Sequence, residues 1–198
     1  MPDTSPINLT DYQVDPVRGF LPSQNPVQQL PPGFEAWEHI AANLSALIIA
    51  GKLRKTIDQM PVPDLKKLET EGQIRRAMLL LSHFGNAYIW GDNPPGRVIP
   101  HSLAVPWAEV AEQVGRPMII SHASIVLDNW RLLDEQAPLA LENIGTLQLF
   151  LGGMDEAWFY LITVALEARG AAGLSALVAL QHAVATKRTE DVDTHLKA

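Results

Sequence analysis

The chain has 198 residues, 47% of them hydrophobic and 19% charged, with a formal net charge of -7 at pH 7 and no cysteine. That length can bury the core of one domain, or of one domain and part of another, while the acidic balance lacks the basic patch that neutralises phosphates and so excludes nucleic acid as a partner. Absence of cysteine removes any disulfide framework, thiolate nucleophile or sulfur-ligated metal and accords with a cytoplasmic location; the acidic start has no signal-peptide layout and no unbroken apolar run reaches about 18 residues, so a soluble chain without membrane contact is expected.

Residues 1–33 carry Pro2, Pro6, Pro16, Pro22, Pro26, Pro31 and Pro32, each fixed in φ and without a backbone donor, which predicts an extended arm or loop. Its apolar residues Val17, Phe20, Leu21 and Leu30 are expected to pack it down. From Phe34 the spacing of Trp37, Ile40, Ala41, Leu44, Leu47 and Ile48 predicts an amphipathic helix ended by Gly51. Asp64 stands as a helix cap, and the apolar stripe from Leu65 to Tyr88 predicts one or two helices reaching about residue 89. The stretch 91–96, GDNPPG, ends them; 98–106 reads as loop, Trp107 to Val114 as a short helix, and Gly115 to Pro117 as the breaker closing a small helical domain, 34–115.

A second part, 116–198, follows. A helix is expected from Met118 to Leu132, with Ile119, Ala123, Val126, Leu127 and Trp130 on its apolar stripe, Ser121, Ser124 and Asp128 pointing away, and His122 at the stripe's edge. Residues 139–153 predict a short strand or an irregular turn, stopped by Gly152 and Gly153. Asp155 and Glu156 then open a helix, favourable at the positive end of its dipole. From Ala157 to Leu166 every residue but Thr163 is apolar or aromatic, which predicts burial on nearly every face. Helix continues over Leu174 to Val184, and Thr189 to Ala198 is polar enough to fray. The fold class is all-α.

Chemistry-bearing motifs are sparse. No P-loop, dinucleotide glycine fingerprint, nucleophile triad or HExxH is present. GDNPPG has the glycines of a phosphate loop without its lysine, and reads as a turn. Asp155 and Glu156 are adjacent, so they do not face each other as an acid pair and read as caps. His122 is either a core histidine with a satisfied hydrogen bond or a ligand or acid-base group. Phe159 and Thr163, one turn apart, either pack simply or line an apolar cavity with one hydroxyl.

The order of short motifs is more specific than any one of them. Phe34 with Trp37-Glu38, Met60-Pro61, Tyr88 with Trp90-Gly91, Leu103 to Pro106, Val126-Leu127 with Asn129-Trp130, and Glu142-Asn143 occur in the same sequence and at similar spacings in the indoleamine 2,3-dioxygenase family of haem proteins. The chain resembles that family from about Tyr12 to about Val184, over the N-terminal half of the family's length. The resemblance implies a small N-terminal helical domain followed, over 116–198, by the first helices of a larger haem-binding helical domain. It also implies a haem b cofactor and a reaction with tryptophan or a related indole and dioxygen, in which the indole C2–C3 bond is opened to give N-formylkynurenine.

Carried over residue by residue, the resemblance places His122 where the family commonly has a tyrosine lining the substrate side of the haem pocket, with Ile125 and Val126 on the same wall. Phe159 matches a phenylalanine that stacks near the indole, Tyr160 the aromatic after it, and Thr163 a serine close to the haem-bound ligand. The family's proximal histidine matches none of His39, His83, His101, His182 or His195, so no metal ligand is assigned here. Two readings follow: a haem dioxygenase that needs a C-terminal half or second chain for turnover, or a non-catalytic helical binding or interaction module derived from the same fold. The first predicts an exposed apolar surface centred on Phe159, Thr163 and His122, and the second predicts that they are covered.

Overall fold

In the computed structural model, which describes residues 7–196, the chain is helical apart from one short two-stranded sheet. Its packing falls into two units: one of residues 24–162, the other of residues up to Ser23 and from Thr163 onward.

The larger unit is built around α4 (Glu71–Trp90). Thr70 and Gln73 start this helix with reciprocal side chain-to-backbone bonds, a capping box that satisfies two orphan donors. From Arg76 to Gly85 every residue is buried, because α1 (Glu35–Ala42), α3 (Leu53–Asp58) and α5 (His101–Val114) all pack against it. Phe34 and Trp37 meet edge to face at 5.2 Å, a pairing worth about 1 kcal/mol beyond the area it buries. The Trp37 indole donates to the Pro61 carbonyl at 3.3 Å.

Three expectations change here. The helix from Phe34 is broken into α1 and α2 (Leu44–Ile49) at Asn43, whose side chain donates to the His39 carbonyl and so competes with the helical ladder. Residues 101–106 are not loop but the opening turns of α5, despite Pro106 inside it. Burial of Leu103 and Trp107 and the bond from Ser102 Oγ to the Ile57 carbonyl (2.7 Å) hold that turn down.

The third change is larger. Instead of a helix over 118–132, a single π-helical turn, Ala123–Leu127, leads into β1 (Trp130–Leu132), which pairs antiparallel with β2 (Ile144–Thr146). The Asn129 side chain extends the pairing, its Nδ2 donating to the Gln148 carbonyl at 2.9 Å and its Oδ1 accepting from the Gln148 N–H at 2.8 Å. Asn143 donates to the carbonyls of Asp134, Ala137 and Pro138 and accepts from the Asp134 N–H, which fixes the intervening loop. Amide side chains rather than an apolar stripe therefore dictate this segment.

The long helix α6 (Met154–Ala185) begins after Gly152 and Gly153, whose positive φ values of 78° and 108° suit glycine. The expectation that it is buried on nearly every face fails. Trp158, Phe159 and Ile162 in the larger unit, and Leu166, Leu177 and Val184 in the smaller, are exposed. An all-round apolar composition says that a helix seeks cover, but α1 to α5 are committed to their own core. By length and composition alone α6 is also apolar enough to cross a membrane.

In the smaller unit a 3₁₀ turn (Leu9–Tyr12) is capped by Asn8. An Asx turn follows, with Asp15 Oδ1 accepting from Val17 and Arg18 N–H at 2.8 Å. Gly19, at φ +66°, passes so close to α6 that an added Cβ would press on the Glu167 carbonyl at 3.0 Å. Val14 is buried there, whereas Val17 and Phe20 are exposed, contrary to expectation; Leu21 is buried as expected, as is Leu30 in the larger unit. Thr189–Leu196 forms a further helix, α7, where fraying was expected; residues 197 and 198 lie outside the described residues.

Candidate functional site

The π turn is held from below by polar anchors. Ser124 Oγ donates to Ser82 Oγ on α4 at 3.2 Å, both groups buried. The Asp128 carboxylate, 3% exposed, lies between Arg75 on α4 at 3.2 Å and Arg116 just after α5. Asn129 Nδ2 donates to the Ile125 carbonyl and the Trp130 indole to the Leu127 carbonyl. Ser124 and Asp128, expected to point away from the core, thus face into it, since each has a partner there. What the anchors leave outward is His122, exposed at the head of the turn, with Ile125 half-buried and Val126 buried. His122 is therefore not a core histidine.

The second group sits in the first turns of α6. Phe159 is 64% exposed, and its ring meets that of the buried Tyr160 at 5.8 Å in a tilted edge arrangement. Glu156, one turn earlier, accepts from the Tyr160 hydroxyl at 3.2 Å. Burial first, and the Glu156 charge second, push the Tyr160 hydroxyl far above the usual tyrosine range, so it stays protonated and donates. Thr163, half-buried, lies in the smaller unit. The six predicted residues are thus carried by two elements, His122, Ile125 and Val126 on the π turn and Phe159, Tyr160 and Thr163 on α6.

Two features went unread in the sequence. Glu156 caps the start of α6 as its position suggests, but it also accepts from the Tyr160 hydroxyl, and acidic residues at helix starts are too common to mark that second role. His83 is fully buried in α4, stacked on Phe150 at 4.6 Å, with Nδ1 bonded to the Leu79 carbonyl at 2.8 Å. Desolvation pulls its pKa down to about 4, so the ring is neutral near pH 7 and Nδ1 donates to that carbonyl. A cleft of about 340 Å³ in the larger unit is lined by Glu38, Ser45, Arg76, Thr146 and Gln148, among others, and by none of the six predicted residues.

Fit to a haem can be judged from the side chains. Among the described residues no cluster of three or more His, Cys, Asp or Glu could hold a bare metal ion. A haem asks instead for flat apolar walls and one axial ligand. Phe159 and Ile162 on α6 are exposed and Ile125 on the π turn is half-buried, apolar side chains of the kind such a wall uses.

A family model described as Indoleamine 2,3-dioxygenase matches residues 8–198. The chain is 34% identical over 195 residues to indoleamine 2,3-dioxygenase 2 of Mus musculus, covering 98% of this chain and 47% of the relative. It is 38% identical over 176 residues to an indoleamine 2,3-dioxygenase of Aspergillus candidus, covering 86% of this chain and 44% of the relative. It is 36% identical over 176 residues to the indoleamine 2,3-dioxygenase of Saccharomyces cerevisiae, covering 84% and 39%. The chain spans less than half the length of these relatives. With the ordered motifs, the helical fold and a match over nearly all its residues, the chain belongs to the indoleamine 2,3-dioxygenase family.

Proposed function

We propose that this chain supplies the substrate-side wall of a haem-dependent dioxygenase that opens the indole ring of L-tryptophan to N-formylkynurenine. The observation that carries the reading is the family match over residues 8–198, which takes in the whole segment from His122 to Thr163. The names of the relatives supply the indoleamine substrate class and the dioxygenase activity.

Phe159 and Ile125 would face the flat apolar macrocycle and the indole, and Val126 would back them from below. When bound, haem supplies the activation of dioxygen, both of whose atoms enter the cleaved C2–C3 bond. Phe159 orients the indole by stacking and keeps water from the reacting carbons. His122 would close the wall, and Thr163 would supply one hydroxyl to it, as the family resemblance implies. The axial ligand and the group that holds the substrate carboxylate are assigned to a C-terminal half or second chain, and the cellular location to the cytoplasm.

Of the three residues on which the choice turns, Phe159 and His122 are exposed and Thr163 is half-buried, which supports this reading over that of a non-catalytic module, which would cover them. The test is titration of the purified chain with haem, alone and with the C-terminal half of a family member, followed in the Soret region as the ferrous and carbon monoxide forms. A haem complex that responds to L-tryptophan and yields N-formylkynurenine is the expected result. Failure to form any tryptophan-responsive haem complex, alone or with that half, overturns the reading.

A further inference from the structure

Glu156 is the third residue of α6, where a glutamate ordinarily reaches back to one orphan N–H. Here its carboxylate gathers four donors. Oε1 accepts from the Phe150 N–H at 2.7 Å and the Tyr160 hydroxyl at 3.2 Å. Oε2 accepts from the N–H groups of Leu151 at 3.1 Å and Gly152 at 3.0 Å. Three successive backbone donors and one side chain thus converge on a single carboxylate.

Each partner leads somewhere. Phe150 stacks on the buried His83 ring at 4.6 Å, so one side of the network is fixed to the centre of α4. Tyr160 is buried and touches the exposed Phe159 ring at 5.8 Å, so the other side ends on the residue proposed to face the indole. A cap whose only work was to start α6 would need neither the hydroxyl nor the Phe150 bond.

We propose that Glu156 is the positioning residue of this wall: by holding loop 150–152 and the Tyr160 hydroxyl on one carboxylate, it sets the orientation that Phe159 presents to an aromatic substrate. The proposal rests on the dioxygenase reading above. It places specificity-determining geometry at a residue that touches no substrate.

The test uses the tryptophan-responsive haem complex and L-tryptophan as probe. Glu156→Gln keeps size but leaves one acceptor oxygen, and its amide N–H₂ faces N–H donors, so exchange of the Phe150, Leu151 and Gly152 amides should speed up. KM for L-tryptophan should rise about tenfold with kcat little changed, the pattern of lost binding geometry. Tyr160→Phe leaves the cap intact and should raise KM by about threefold at an unchanged melting temperature, which a capping role would not do. The double variant should be no worse than Glu156→Gln, because both act through one network. Unchanged KM in the two single variants, or strictly additive effects, overturns the proposal while leaving the dioxygenase reading standing. A wild-type complex that shows no response to L-tryptophan overturns the parent reading and this proposal with it, whatever the amide exchange shows.

Discussion

Arg75 Nη1 lies 3.2 Å from the Asp128 carboxylate although 53 residues separate them in the chain. With Arg116 on the other carboxylate oxygen, this contact ties α4 and the end of α5 to the turn that carries His122, Ile125 and Val126. Removing the charge of a buried carboxylate while leaving two guanidinium groups facing it is among the costlier single changes. Asp128→Asn should destabilise the protein by about 3 kcal/mol, read as a shift in the urea midpoint at constant slope. Arg75→Met, which leaves Arg116 in place, should cost less. A midpoint for Asp128→Asn equal to that of the wild type would show that this ion cluster does not hold the turn.

His83 makes a pH-dependent contribution. Its pKa in the folded protein is depressed to about 4 by desolvation, against about 6.5 in the unfolded chain. The unfolded state therefore binds more protons between these values, and stability rises with pH across that window. The contribution is complete above about pH 6.5 and is lost as pH falls through about 4, a total of roughly 3 kcal/mol. Denaturation of wild type and His83→Leu at intervals from pH 4.5 to pH 7 isolates it. The wild-type curve should fall more steeply toward acid than the variant's, and parallel curves would show that His83 is not buried as the neutral ring.

How much of this was legible in the sequence depends on which force sets each element. Where burial dominates, the pattern sufficed: the stripe Phe34, Trp37, Ile40 lies in the core, as do Leu68 and Phe84. Asp64 caps the 3₁₀ turn Leu65–Lys67 through the Lys66 N–H, as its position predicts. Where polar side chains dominate, periodicity misled. Val126 and Trp130 are apolar at helical spacing, yet Asn129 and Asn143 bond to backbone groups and turn the segment into a hairpin. Burial of Ser124 and Asp128 depends on Ser82, Arg75 and Arg116, partners up to 53 residues away that no local window contains. The motifs that carried the family resemblance include these hairpin residues, so part of that signature is structural and not catalytic. For α6 the composition was read correctly and the conclusion was not, because cover depends on what else is available to pack.

Gly85 tests the tightest helix contact. The Trp107 ring of α5 lies directly over it, where an added Cβ would overlap the indole carbons. Because both positions are buried in the core, neither helix can yield without disturbing Phe84 and Val110 beside them. Gly85→Ala gains helix propensity but should still cost about 2 kcal/mol through overpacking. A variant as stable as the wild type would mean that α5 is free to shift outward from α4.

Phe159 separates function from stability more sharply than any other residue of the proposed wall. A large aromatic side chain that is 64% exposed contributes little to the core, so Phe159→Ala should change the unfolding free energy by about 0.5 kcal/mol or less. If the ring stacks the indole, the same truncation should lower kcat/KM for L-tryptophan in the haem-loaded complex by about a hundredfold, equivalent to about 2.7 kcal/mol of transition-state stabilisation. His122→Ala should give a smaller loss, since an exposed imidazole proposed to close the wall would border the indole without stacking on it, and His122→Tyr, which keeps a ring with a polar tip, should retain most of the wild-type activity. Unfolding measured in parallel decides between the two roles. Stability lost without activity would return Phe159 to packing, and activity unchanged in both alanine variants would remove the wall from this face of α6.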